Sequence, residues 1–185
     1  MLETLITNKT RLKLLLKFFL NSNSRSYLRN LETEFDESSN AIRIELNRFE
    51  EAGLLVSNSD RNRKVFRANI HHPLFPDIHN ILMKYIGFDQ IIDKLVQKLA
   101  GINKAYIIGD FAKGKDAKYI ELILIGTEFD KTYLDHLIEK VEGLIRRKVS
   151  CLILTEQEEN QYIKQYPEAF VLWRSDKVNS DRPYK

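Results

Sequence analysis

Apolar residues Leu12, Leu15, Leu16, Phe19 and Leu20 recur at i, i+3, i+4, i+7 and i+8, which predicts an amphipathic helix from Thr10. The polar run Asn21-Ser22-Asn23-Ser24 ends it. A second helix, from about Ser26 to Phe35, turns Leu28, Leu31 and Phe35 to the same core. A third starts at a Ser38/Ser39 N-cap and runs to Ala52, with Ile42, Leu46 and Phe49 inward and Gly53 where a left-handed C-cap is wanted. Its outer face is Asn40, Arg43 and Asn47. Two short strands follow, Leu54 to Val56 and Lys64 to Ala68, joined by a polar loop from Ser57 to Arg63, and the loop His71-His72-Pro73 closes the unit.

Helices from about Leu74 to Ile86 and Asp89 to Ala100, joined through Gly87, lead into a different pattern. Continuous apolar runs predict strands at Lys104 to Ile108, Tyr119 to Ile125 and Val149 to Leu154, separated by a loop from Gly109 to Lys118 and a helix from Lys131 to Lys148. A last helix is expected from Glu156 to about Arg174, with Phe170 and Trp173 as core or dimer surface, followed by a frayed tail. The fold class is therefore α+β, with a boundary at residues 87 and 88. An N-terminal helix-and-hairpin domain spans 1–87, and an α/β domain with a small mixed sheet spans 88–185.

The chain has 185 residues, of which 43% are hydrophobic and 30% charged, enough for two small cores and incompatible with disorder as the main state. Seven Gly and four Pro without a repeat exclude collagen-like and solenoid readings. Lys13 and Lys17 break the only long apolar stretch near the start, so neither a signal peptide nor a membrane span is expected, and the location expected is cytoplasmic. The single cysteine, Cys151, fits a reducing compartment and reads as a small packed hydrophobe. His71, His72 and His79 lie without cysteine or clustered carboxylates, so loop and surface roles are expected for them and no metal site.

Net charge is +3, and its placement matters more than its size. Residues 1–87 hold 13 Lys/Arg and 10 Asp/Glu, whereas residues 88–185 hold 16 of each, so the excess lies in the first half. On the third helix Ser38, Ser39, Asn40, Arg43 and Asn47 have the chemistry to meet DNA. Arg43 can reach guanine, Asn40 or Asn47 adenine, and the serines phosphate. The hairpin adds Arg61, Asn62, Arg63, Lys64 and Arg67 for the backbone or minor groove. Glu45, Glu50 and Glu51 would have to face away from phosphate. Helix, helix, turn, helix and hairpin is the order of a winged helix-turn-helix.

The stretch from Ser38 to Leu55, above all Leu46 through Leu55 with its Phe49-Glu50-Glu51-Ala52-Gly53-Leu54-Leu55 ending, together with the basic hairpin, resembles the ArsR-type winged-helix transcriptional regulators. The resemblance covers about residues 10–86. It implies double-stranded DNA as partner and a homodimer built on the first and last helices of the domain. Metal-sensing members carry cysteine pairs on the recognition helix, and this chain has none there.

In the second half, Gly109-Asp110-Phe111-Ala112-Lys113-Gly114 after a strand, with Glu121 in the next, is similar to the nucleotidyltransferase signature. In that family a Gly-Ser turn holds nucleotide phosphate, and an Asp-x-Asp with a later Asp binds two Mg²⁺ ions. Here Asp110 replaces the serine, Tyr119 stands at the first metal position, Glu121 keeps an acid at the second, and Ser150-Cys151-Leu152-Ile153 offers no carboxylate. A two-metal site needs several converging carboxylates, so Gly109, Asp110, Lys113, Gly114 and Glu121 are expected to form a vestigial nucleotide site, without catalysis, metal or cofactor. The resulting expectation is a DNA-binding regulator whose second domain serves dimerisation or ligand sensing. Two other readings remain. One is an active nucleotidyltransferase using Glu121 with Asp110 or Asp116 as metal ligands. The other is a protein-interaction adaptor that has abandoned DNA.

Overall fold

The structure is a computed structural model, and it describes residues 2–60, 63–127 and 130–175. The chain divides into two compact units, Met1–Tyr85 and Ile86–Lys185. Arg61, Asn62 and the expected tail from Asp176 onward lie outside the described residues.

In the first unit, α1 (Leu2–Leu5) precedes α2 (Lys9–Leu15), whose N-cap Asn8 accepts a hydrogen bond from the Arg11 amide. From Leu16 to Leu20 the winding widens to a π-helix. The expected stripe is only part of what this helix buries, because Leu14, Lys17 and Phe18 are buried as well. Surrounded on every side, it accommodates Lys17 by pairing its ammonium with Glu34 at 2.8 Å.

Residues 25–27, placed by periodicity at a helix start, instead form β1 (Arg25–Tyr27). α3 (Leu28–Phe35) begins only after it. The reason is tertiary, since β1 pairs antiparallel with β3, with Arg25 opposite Arg67 and Tyr27 opposite Val65. α4 (Ser39–Glu51) is N-capped by Ser38 and closed by Gly53 at φ +72°, as the sequence led us to expect. β2 (Leu55–Asp60) and β3 (Arg63–Ala68) are longer than expected. Their register carries from Leu55–Ala68 to Asp60–Arg63, so most of the presumed loop is strand, and the sheet order is β1-β3-β2. In α5 (Phe75–Ile86), Phe75 stacks on Phe19 at 5.5 Å, and the ring of half-buried His79 stacks on Phe75 and bonds the Phe19 carbonyl at 2.8 Å. His79 is thus a packing residue rather than a surface one.

The second unit opens with α6 (Phe88–Lys94) and a 3-10 turn at Val96–Lys98, so the helix expected to reach Ala100 ends early. β4 (Ile102–Ile108), the short α7 (Gly109–Ala112), β5 (Tyr119–Gly126), α8 (Lys131–Ile145) and β6 (Lys148–Leu154) follow. The expected helix to Lys148 stops at Ile145 because Arg146 turns left-handed at φ +57°. α9 (Glu156–Ile163) starts in a Thr155/Glu158 capping box. The helix expected to continue to Arg174 gives way instead to β7 (Phe170–Arg174). Tyr166 precedes Pro167, which disfavours the helical backbone, and the segment beyond finds hydrogen-bond partners on β4. Phe170 and Trp173 are therefore strand residues. The sheet, ordered β6-β5-β4-β7, joins β5 to β6 in parallel and the other pairs antiparallel. One face, with Tyr106, Ile108, Ile123, Ile125 and Leu154, is covered by Tyr162, Ile163, Tyr166 and Ala169.

Two buried carboxylates tie these layers. Glu45 on α4, only 2% exposed, receives Arg11 at 2.7 Å, Arg48 at 2.5 Å and the Asn8 amide at 3.2 Å. The hydrogen bond from Arg11 leads the interactions that hold its carboxyl below the usual range. Glu159 on α9 takes Lys104 at 2.8 Å and the Tyr106 hydroxyl at 2.5 Å from β4. Burial pushes its pKa up, and these hydrogen bonds outweigh that effect. Burial likewise pushes the Cys151 thiol up to about 12, in agreement with the packed residue expected.

Glu45→Ala is expected to destabilise the first unit by about 2 kcal/mol in urea unfolding, against less than about 1 for the more exposed Arg48→Ala. A carboxyl whose folded pKa is lowered stabilises above its unfolded value, near 4.5, and this contribution disappears as pH falls through the folded value. Glu45→Gln should therefore flatten the loss of stability below about pH 4.5, as read from melting temperature against pH.

Candidate nucleic-acid interface and nucleotide pocket

Ten of the thirteen Lys and Arg residues of the first unit fall into two groups. Arg11, Lys13, Lys17, Arg48 and Lys64 are all paired, to Glu45, Glu37, Glu34, Glu45 and Glu50 respectively. Arg25, Arg29, Arg43, Arg63 and Arg67 are exposed and make no side-chain hydrogen bond or ion pair among the described residues. Strand alternation places Arg63 and Arg67 on one face of β3, and Arg25 stands directly across from Arg67. Like charges opposite each other across an antiparallel pair repel, so this face gains from a bound anion.

Helical spacing puts Asn40, Arg43 and Asn47 on the exposed side of α4, while Ile42, Glu45, Leu46 and Phe49 are buried. The acids expected to avoid phosphate are accounted for in part: Glu45 is buried and Glu50 binds Lys64 and Ser57. Lys64 at 2.6 Å from Glu50 also lies over the Phe66 ring, so its charge is already engaged. Ser38 spends its oxygen on the N-cap, and Ser39 donates to Glu32. Arg61 and Asn62 lie outside the described residues. Sequence reasoning missed Arg25 and Arg29. Arg25 acquires its position only through the β1–β3 register, and the one available signal was its place among polar residues before the second helix.

In the second unit a cavity of about 550 Å³ is lined by Gly109, Asp110, Lys113 and Glu121, together with residues 165–169. Four of the five residues assigned to a nucleotide site thus converge. Gly114 is buried outside the lining, with φ +79° marking its role as a turn. Tyr166 and Glu168 join the wall, which the sequence reading missed because it continued the last helix through them. Glu121 pairs in register with Ile108 on β4 and Ser150 on β6, so the neighbouring strand supplies a hydroxyl rather than a second acid. Tyr119 is 63% exposed. Among the described residues no group of three His, Cys, Asp or Glu is placed to hold a metal ion.

Glu121 folds back over the turn. A Cβ built on Gly109 would lie 1.6 Å from its carboxylate oxygen, and Gly109 has φ +68°. Gly109→Ala should therefore combine backbone strain of about 1–2 kcal/mol with a steric clash. The carboxylate is the end of a flexible side chain that can swing aside, so we expect the backbone strain to dominate and Glu121→Ala to change the cost of Gly109→Ala by less than about 0.5 kcal/mol in a double-mutant cycle of unfolding free energies.

No protein-family profile matches the sequence, and no curated protein matches it. Solved structures are similar over part of the chain. A complex of tri-AMPylated Shewanella oneidensis HEPN toxin with MNT antitoxin aligns at 15% identity, covering 51% of this chain and 76% of that one, with a TM-score of 0.38. A candidate nucleotidyltransferase from Sulfolobus solfataricus aligns at 16%, covering 51% and 85%, with a TM-score of 0.36. A protein described as a possible transcriptional regulator for arsenical resistance aligns at 23%, covering 51% and 88%, with a TM-score of 0.32. Among the described residues no helix is long and apolar enough to cross a membrane.

Proposed function

We propose that this protein is a DNA-binding transcriptional regulator in which residues 1–87 form a winged helix-turn-helix and residues 88–185 a nucleotidyltransferase-like domain without transfer activity. The observation that carries the reading is the set of five arginines, 25, 29, 43, 63 and 67, that have no ion-pair partner among the described residues, in a unit where Arg11, Lys13, Lys17, Arg48 and Lys64 are paired with carboxylates. Keeping guanidinium groups unpaired on strands and helix faces favours a polyanion, because phosphates release counterions when they replace water around arginine. α4 supplies the side chains that reach base edges, Arg43 toward guanine and Asn40 or Asn47 toward adenine. Arg25, Arg63 and Arg67 serve the backbone, with Arg61 and Asn62 expected beside them. A homodimer would place two such helices in successive major grooves about one helical turn apart.

The inactive reading of the second domain is supported by its acids. Two-metal transfer requires carboxylates that clamp both attacking and leaving oxygens; of the three acids lining the pocket, Asp110, Glu121 and Glu168, the last comes from outside the signature, and Tyr119 and Ser150 stand where the signature has acids. An Asp at the phosphate-holding turn adds repulsion to a triphosphate. Cys151 and Ile153 on β6 lie in a separate groove with α8, away from Glu121.

Fluorescence anisotropy with DNA from upstream of its own gene, against scrambled competitor at two salt concentrations, tests the proposal. Arg43→Ala should lose about 1–3 kcal/mol on the specific sequence and little on competitor. Arg25→Ala and Arg67→Ala should weaken both alike and each lower the salt slope by about 1. Equal loss on both sequences for Arg43→Ala would remove its base-reading role. Incubation with labelled ATP and Mg²⁺ should give no transfer; label incorporation abolished by Glu121→Gln would establish the enzyme reading instead.

A further inference from the structure

The first unit contains a cavity of about 480 Å³ between the start of α3, the outer face of α4 and the hairpin. Its accessible apolar lining comes from the half-buried Tyr27 and Leu28, with the buried Leu46 and Phe66 also bordering it. Its walls carry Arg29, Arg43 and Arg63, three of the unpaired arginines, with Lys64 already held by Glu50. The one acid of the lining, Glu32, accepts a hydrogen bond from the Ser39 hydroxyl.

Three guanidinium groups around an apolar lining are matched incompletely by a nucleic-acid backbone. A phosphate satisfies the arginines at the rim, but its polar oxygens gain nothing from the apolar lining that Tyr27 and Leu28 present. A planar ring bearing a carboxylate satisfies both, because the ring removes apolar surface from water while the carboxylate takes a bidentate guanidinium. The volume falls within the range of small-molecule sites and accommodates a two-ring compound.

We propose that this cleft binds a small aromatic carboxylate, and that the bound molecule excludes DNA because it occupies Arg43 and Asn47. The exclusion rests on the DNA-binding reading above; the binding does not. Such a ligand is an effector that acts by direct competition, without a conformational relay from the second unit. Its differential affinity for the DNA-free state is complete, because one set of side chains cannot serve both partners.

The test uses the full chain and 2-naphthoate as probe, with uncharged 2-naphthylmethanol as control, in calorimetric titrations without DNA. Naphthoate should bind at least about tenfold more tightly than the alcohol. Arg29→Ala should reduce naphthoate affinity about tenfold and leave the alcohol unchanged. Asn30→Glu, which adds a carboxylate to the cleft wall while keeping every arginine, should do the same. Both positions are exposed, and a melting temperature equal to wild type confirms that these variants fold. Equal binding of acid and alcohol, or naphthoate affinity unaffected by both substitutions, would overturn the site. Naphthoate should then release a labelled duplex over the concentration range in which it binds. A duplex that stays bound at saturating naphthoate would overturn the competition. Absence of DNA binding by the protein itself would overturn the regulator reading and with it the competition, while the direct titration still decides the cleft.

Discussion

The buried carboxylate of Glu45 settles which side of α4 faces outward. Held by Arg11 and Asn8 at the start of α2, it fastens α4 along its inner edge beside Ile42, Leu46 and Phe49. Removing a carboxylate from water is expensive, and three donors converge on it in compensation. With that edge fixed, Asn40, Arg43 and Asn47 have no place but solvent. The same economy extends along α2 and the π-helical turn after it, where Lys13 and Lys17 reach Glu37 and Glu34 near the end of α3. Internal ion pairs engage Glu34, Glu37, Glu45 and Glu50, four of the acids that could otherwise neutralise the arginines of α3, α4 and the sheet.

The second unit depends on a comparable clamp. Lys104 and Tyr106, two positions apart on β4 and so on one face, both reach Glu159 of α9. That contact holds α9 over the sheet beside the pocket formed by Gly109, Asp110, Glu121 and residues 165–169. At the pocket floor Glu121 lies against the turn, and a side chain at 109 would have to displace its carboxylate. The backbone angle, φ +68°, is what favours glycine there.

Much of the fold was legible from local pattern. Ser38 and Gly53 bracket α4 as caps do, and Ile42, Leu46 and Phe49 fall on its buried face. The apolar runs at 104–108, 119–125 and 149–154 are strands, each extended by one or two residues in the sheet. Errors arose where partners distant in sequence overrode local preference. Arg25 to Tyr27 became a strand because β3 offered free hydrogen-bonding groups, and Phe170 to Arg174 did so because β4 had an open edge after Pro167 ended the helix. Four residues of the candidate nucleotide site met as the motif implied, whereas Gly114 served the turn and Tyr166 and Glu168 entered from a segment read as helix.

By itself the sequence determined the elements whose signals are local, namely caps, turn residues and hydrophobic periods, because these depend on neighbours a few positions away. It also determined that the Gly109–Gly114 turn and the strand after it lack the other acids of the signature, but not that Glu168 would line the same pocket. Only the tertiary structure decided which cations are spoken for. Lys64 and Arg63 are adjacent in the chain and alike in charge, yet the pleat sends one to Glu50 and leaves the other without an ion pair among the described residues. That difference arises from strand register and from carboxylates many residues away, and no period in the sequence encodes it.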